Sequence, residues 1–201
     1  MHNKGILLAM TQVSSNIEDE FNAWYDTEHV QERLAVPGFE TASRYVSESA
    51  WPRYLALYDV ERTDVFQSEA YARVSGPNNS PWTKRILSRA HVLRAVAGQI
   101  YPGRELLQPS PDVLVLRFRA VPADADATIV EALKASFAGE PNVRQIRVFA
   151  DAENAGPARD VFGVIGTVGP ALHKLDLPAF GRWGEALDLA NAYRACNRHA
   201  A

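Results

Sequence analysis

Twice along the chain a strand-length apolar run is followed by a helix-length segment, two more strand-length runs, a second helical segment and a last strand. No other feature of the sequence limits the fold so strongly. In the first half, residues 4–14 read as a strand, 21–35 as a helix, and 39–48 and 53–60 as strands. Asp64 is placed to cap a short helix through Val74. Residues 82–88 form one or two helical turns, and 91–101 the fourth strand. The stretch 103–111, with Pro109 and Pro111, reads as a linker. In the second half, 112–121 is a strand, 126–137 a helix ended by Gly139, 143–149 and 161–168 strands, 178–187 a helix and 190–197 a final strand. Gly181 and Gly184 weaken the last helix.

Each half thus has the order βαββαβ, that of a ferredoxin-like unit. The halves, 1–104 and 105–201, share that order but little residue identity. An open sheet with helices on one face must cover its other face. Two such sheets facing each other meet that need, so the expected fold is α+β: tandem ferredoxin-like repeats closed into one α+β barrel within a single chain.

Composition narrows the function. With 47% apolar and 22% charged residues the chain has the balance of a folded soluble domain. The net charge of −3, with no basic stripe, argues against nucleic acid as a partner. The apolar stretch 5–10 is too short for a signal-peptide core or a membrane span and fits a first strand, so no membrane partner is expected. The single cysteine, Cys196, excludes an intrachain disulfide and, with no export signal, favours the cytoplasm. It reads better as a small buried apolar residue than as a nucleophile.

The stretch that carries chemistry is FNAWYDTEHVQERLAVPGF, residues 21–39. At about 100° per residue, Phe21, Trp24, Tyr25, Glu28 and Glu32 share one helical face. Aromatic rings on that face should point inward, and buried carboxylates then need partners. His29 lies at the edge of the face and Arg33 one turn beyond. One reading is a pocket with His29 as its acid–base group, oriented by a neighbouring carboxylate such as Glu28 that favours the charged imidazole. The other is an ion-paired helix surface turned to solvent. Spacing alone leaves both open.

The run WYDTEHVQERLAVPGF, with SRYV at 43–46 and YLALYDV at 54–60, resembles the EthD-like branch of the dimeric α+β-barrel superfamily. The resemblance covers about the first half of the chain. Trp24, Tyr25, Glu28, His29, Arg33, Pro37, Gly38 and Phe39 stand where the family motif has them. Many members have a proline two places after the histidine, where this chain has Gln31. The helix at 126–137 has neither a histidine nor a Trp-Tyr pair. The architecture hosts isomerases, cyclases, dehydratases, monooxygenases and haem-handling enzymes, and also members with no known activity. The resemblance implies a small organic substrate between helix and sheet. His29, Glu28 and Tyr45 would be its catalytic residues, and Trp24, Tyr25, Arg33 and Trp82 its binding residues. Arg44 and Tyr45 alternate on the second strand, so one of them should reach the pocket. Tyr45 is favoured, leaving Arg44 to pair with a glutamate. Trp82 fits either a pocket wall or an anchor for its short helix.

No metal or cofactor is assigned. His2, His91, His173 and His199 show no zinc-like spacing, although a haem would need only one histidine. The spacing of Gly163, Gly166 and Gly169 matches no phosphate-binding loop and suits strand packing better. A homodimer is left open. So is the choice between an enzyme, a binding module that uses the same pocket without chemistry, and a structural ion-pair network.

Overall fold

In the computed structural model, which describes residues 3–154 and 156–196, eight strands form a closed antiparallel barrel. His2, His199 and the end of the last expected strand, Asn197, lie outside the described residues. The strands are β1 (Gly5–Val13), β2 (Ser43–Val46), β3 (Tyr54–Val60), β4 (Ala90–Tyr101), β5 (Asp112–Pro122), β6 (Val143–Asp151), β7 (Ala158–Thr167) and β8 (Leu187–Ala195). Their order around the barrel is β1-β3-β2-β8-β5-β7-β6-β4. The four strands of the first half therefore run β4-β1-β3-β2, and those of the second half run β8-β5-β7-β6 in the same relative order. Two seams close the ring. Tyr45 and Val46 pair with Ala195 and Arg194, and Ala97 to Tyr101 pair with β6.

Alternation along each strand sorts the side chains into two environments. On β1, Ile6, Leu8 and Met10 point into the barrel with Leu55, Leu57, Val113, Val115, Phe149 and Val164. Leu7 points outward, into a second cluster beneath the first helix. A third cluster lies between the second half of the sheet and the helix Ala125–Phe137, with Ile129, Leu133 and Phe137 fully buried.

The first helix runs through α1 (Glu18–Trp24), a π-helical turn (Tyr25–His29) and α2 (Val30–Leu34). Two short helices follow β3, α3 (Glu69–Ala72) and α4 (Pro81–Leu87), and α5 is the Ala125–Phe137 helix. Ser68, not Asp64, caps α3 by accepting from the Tyr71 N–H; Asp64 pairs instead with Arg62. The strand expected over 39–48 is only Ser43–Val46, with Phe39 joined by a single bridge to Val60. The helix expected over 178–187 is a 3-10 segment, Leu177–Ala186, broken at Gly181, whose φ of 54° and ψ of −134° are not helical. No helix among the described residues is long and apolar enough to cross a membrane.

The first helix ends at the Pro37-Gly38 turn. Gly38 has φ +95°, and a Cβ there would sit 2.5 Å from Val65 Cγ2. Gly38→Ala should cost about 1–2 kcal/mol for the left-handed backbone alone, and more for the contact with Val65. Urea denaturation measures the loss, and an unchanged midpoint would contradict this account of the turn.

One polar contact ties the halves together inside the barrel. Asp59, at the inward end of β3, accepts from Arg147 Nη1 of β6 at 2.6 Å, and both side chains are essentially inaccessible to water. The same carboxylate accepts from the Leu107 N–H at 2.7 Å and from Thr41 Oγ1 at 3.0 Å. The segment joining the halves is thus bound to both.

Candidate functional site

A cavity of about 490 Å³ lies between the first helix and the outward face of β1, β3 and β4. Phe21, Trp24, Tyr25, His29 and Arg33 reach it from the helix, and Tyr58 from β3. Tyr71 and Asn79 close it from the segment between β3 and α4, and Arg94 from β4.

The π-helical turn decides which helix residues these are. An extra residue in a turn shifts everything after it by roughly 100° relative to plain α geometry. Glu28, expected to follow Trp24 on the inward face, is displaced by His29, and Arg33 continues the inward stripe. Glu28 accepts instead from the hydroxyl of Ser80, the cap residue of α4. Trp24 donates its indole N–H to Thr83 Oγ1 on the same helix at 3.0 Å. The expectation that Glu28 orients His29 is therefore corrected: this carboxylate holds α4 against the first helix.

His29 packs among rings. Its centroid lies 4.2 Å from the nearer Trp24 ring and 5.2 Å from Tyr25, edge to face with the latter. Its side chain is 13% exposed, and Nδ1 has no hydrogen-bond partner. The nearest carboxylate oxygen, Glu32 Oε2, is 3.9 Å away, beyond hydrogen-bond range. Burial, then the charges of Arg33 and Arg44, lower the imidazole pKa to about 3. Glu32 does not rescue it. Burial holds that carboxyl above its ordinary range, so it is already neutral where His29 would take a proton. The expected charged imidazole is thus replaced by a neutral one throughout the physiological range.

Arg33 is 4% exposed. Its Nη2 donates to the Val74 carbonyl at 2.7 Å, and its guanidinium lies over the Tyr71 ring, 5.3 Å from the centroid. Nη1 is buried and has no hydrogen-bond partner. Asn79 Oδ1 is in the same condition, and Tyr58 Oη has only the Tyr25 phenol beside it. Burial raises the pKa of Tyr25, partly offset by Arg44, and sets that of Tyr58 well above the ordinary phenol value. Both tyrosines remain neutral hydrogen-bonding groups.

Three other expectations are corrected. Tyr45 points into the barrel, in the inner cluster, on the other side of the sheet from the cavity. Burial there raises its phenol to about 12. Its neighbour Arg44 is the one on the helix side. It pairs with Asp26, not a glutamate, donates to Asn22 Oδ1 at 2.8 Å, and lies 4.3 Å over the Tyr25 ring. Trp82 packs against the outer cluster from α4 and does not line the cavity. His91 stacks on the exposed Trp51 at 5.0 Å, far in sequence from the cavity helix, and His173 is exposed. Among the described residues no group of three or more His, Cys, Asp or Glu side chains is arranged to hold a metal ion.

Sequence reading missed Tyr58, Tyr71, Asn79 and Arg94. Tyr54 and Tyr58 share the outward face of β3, so two phenols facing the aromatic helix were a usable signal. Nothing comparable marks Asn79, which depends on the course of the segment before α4.

Fold and cavity together define a class by shape: a closed eight-stranded α+β barrel within one polypeptide, with a cavity under its first helix. Solved structures of low sequence identity share it. An anthrone oxidase-like protein superposes with a TM-score of 0.66 at 12% identity, over 98% of this chain and 92% of that one. A mutant chlorite dismutase from Candidatus Nitrospira defluvii gives 0.61 at 10%, over 98% and 93%. A protein described as a monooxygenase candidate, from Lactobacillus acidophilus, gives 0.57 at 9%, over 97% and 94%. No protein-family model and no curated protein sequence matches the chain.

Proposed function

We propose that this chain is a small-molecule enzyme that moves a proton on a partly apolar ring compound bound in the cavity beside His29. Such a transfer is the opening step common to lyase, isomerase and cofactor-free monooxygenase chemistry. The supporting observation is the cavity itself. It is large enough for a multi-ring molecule, walled by aromatic side chains, and holds a neutral imidazole whose Nδ1 has no protein partner. At pH 7 the neutral ring has its lone pair free, and an anionic group bound beside it would raise its low basicity and let it take a proton. Trp24 and Tyr25 form the walls, Arg33 supplies positive charge, and Arg44 holds Tyr25 in place. Two of the superposing proteins, an anthrone oxidase-like protein and a monooxygenase candidate, support an enzymatic reading. The matching strand order of the two halves supports reading 1–104 and 105–201 as diverged repeats, of which the first kept the cavity.

The test is to incubate the protein with a panel of enolisable ketones and phenols and follow each by mass spectrometry. Turnover is expected for at least one, with His29→Ala lowering it by about 10²–10⁴-fold, the usual worth of an acid–base group. A second reading is favoured by the low basicity of His29: a module that binds the same molecule without altering it. Ligands that bind tightly and are recovered unchanged would support that module and sink the enzyme.

A further inference from the structure

The cavity has one buried cation with an unused donor, and the pattern of what is used and unused on it points to a ligand. We propose that the cavity is built to hold a flat ring compound through a single anionic oxygen, a phenolate or enolate, placed on Arg33 Nη1 with the Tyr58 hydroxyl as second donor. The inference rests on the reading of the cavity as the substrate site and names what that substrate must carry.

Three observations carry it. First, Arg33 is almost completely buried and lines the cavity, yet Nη1 bonds to nothing in the protein. Leaving a charged donor buried and unused is costly, so an acceptor in the cavity would recover much of that cost. Second, Nη2 is committed to the Val74 carbonyl. Carboxylates and phosphates take arginine best as a fork, through two nitrogens at once. Here the fork is half occupied, which suits one oxygen better than two. Third, Tyr58 Oη is buried, lines the same cavity and has only the neighbouring Tyr25 phenol beside it, a weaker acceptor than an anion. A phenol kept neutral by burial donates to an anion. The nearest carboxylate, Glu32, makes only a loose 3.6 Å contact with Arg33 Nη2, so Nη1 stays available. The rings of Trp24 and Tyr25 supply the flat walls.

The test uses three two-ring probes on the full chain: 4-nitro-1-naphthol, its methyl ether and 4-nitro-1-naphthoic acid. Binding is followed by calorimetry and, for the naphthol, by the visible band of its phenolate. The naphthol should bind at least tenfold more tightly than the methyl ether. Its phenolate band should persist to lower pH when bound than when free. The naphthoate should show no advantage over the naphthol. Arg33→Met should abolish the preference for naphthol over ether, and Arg33→Lys should restore part of it. Should Arg33→Met fail to fold, the comparison of probes on the unaltered protein decides the question alone. Equal binding of naphthol and ether would overturn the anion site while leaving an apolar substrate cavity standing. A tenfold preference for the naphthoate would overturn the single-oxygen assignment. Failure of all three to bind would overturn the cavity as a substrate site, and this inference with it.

Discussion

Asp59→Ala should destabilise the protein by about 3–5 kcal/mol, the usual cost of removing one partner from a buried ion pair. The reason is what remains. Arg147 is fully buried, and its Nε and Nη2 already lack hydrogen-bond partners. Its Nη1 would keep only the Glu105 carbonyl at 3.2 Å. The Leu107 N–H and Thr41 hydroxyl would lose their acceptor as well. Urea denaturation measures the change as a lower midpoint at unchanged slope. Replacing both members, Asp59→Leu with Arg147→Met, removes the stranded charge and should recover the part of the loss that comes from it, while the Leu107 N–H and Thr41 hydroxyl stay without their acceptor. A loss below about 1 kcal/mol for Asp59→Ala would mean that the Arg147 charge reaches water and that the barrel interior is open at that end.

The second large effect is acid sensitivity carried by His29. Its folded pKa, about 3, lies below the ordinary value of 6.5. Between those limits the unfolded chain binds a proton at this position and the folded one does not. Stability contributed by the neutral ring is therefore complete above pH 6.5 and is lost as pH falls toward 3. By pH 3.5 the loss is on the order of 4 kcal/mol, at 1.36 kcal/mol for each pH unit crossed. Glu32 has the opposite sign, because its raised pKa lets the folded state take up a proton early. The comparison is best made in a Glu32→Gln background, where His29→Gln should flatten the dependence between pH 6.5 and 3.5. The same slope with and without His29 would place the imidazole in contact with water and remove the desolvated ring on which the proposed chemistry depends.

The positions of most strands along the chain were legible because strands announce themselves by alternation or by continuous apolar runs, as in β1, β3 and β5; their order around the barrel came from the fold. The weaker elements misled. The run 39–48 alternates acceptably, yet only four of its residues form a strand, and Phe39 makes a single bridge to Val60 as it turns into the outer cluster after Gly38. The 178–187 stretch has helical spacing but breaks where Gly181 leaves the helical region.

Most of the candidate site was visible in one segment. Trp24, Tyr25, His29 and Arg33 all reach the cavity; spacing had put the two aromatics on the inward face, His29 at its edge and Arg33 beyond it. Tyr45, Glu28 and Trp82 do not, each for a tertiary reason. Alternation tells that Arg44 and Tyr45 face opposite sides of β2, but not which side is the barrel interior. Glu28 was assigned to the inward face by uniform α geometry, which the π-helical turn interrupts. Trp82 follows α4, whose docking is set by Trp24–Thr83 and Glu28–Ser80 contacts, residues more than fifty positions apart.

By itself, then, the chain's linear pattern settled the element order, the two-sided sheet and the aromatic first helix, since each follows from local periodicity and from the conformational limits of Pro37-Gly38. Only the folded molecule decided which way β2 turns, which arginine nitrogen is left unused, and that His29 is neutral. Those properties depend on desolvation and on partners brought from distant parts of the chain, and no local spacing encodes either.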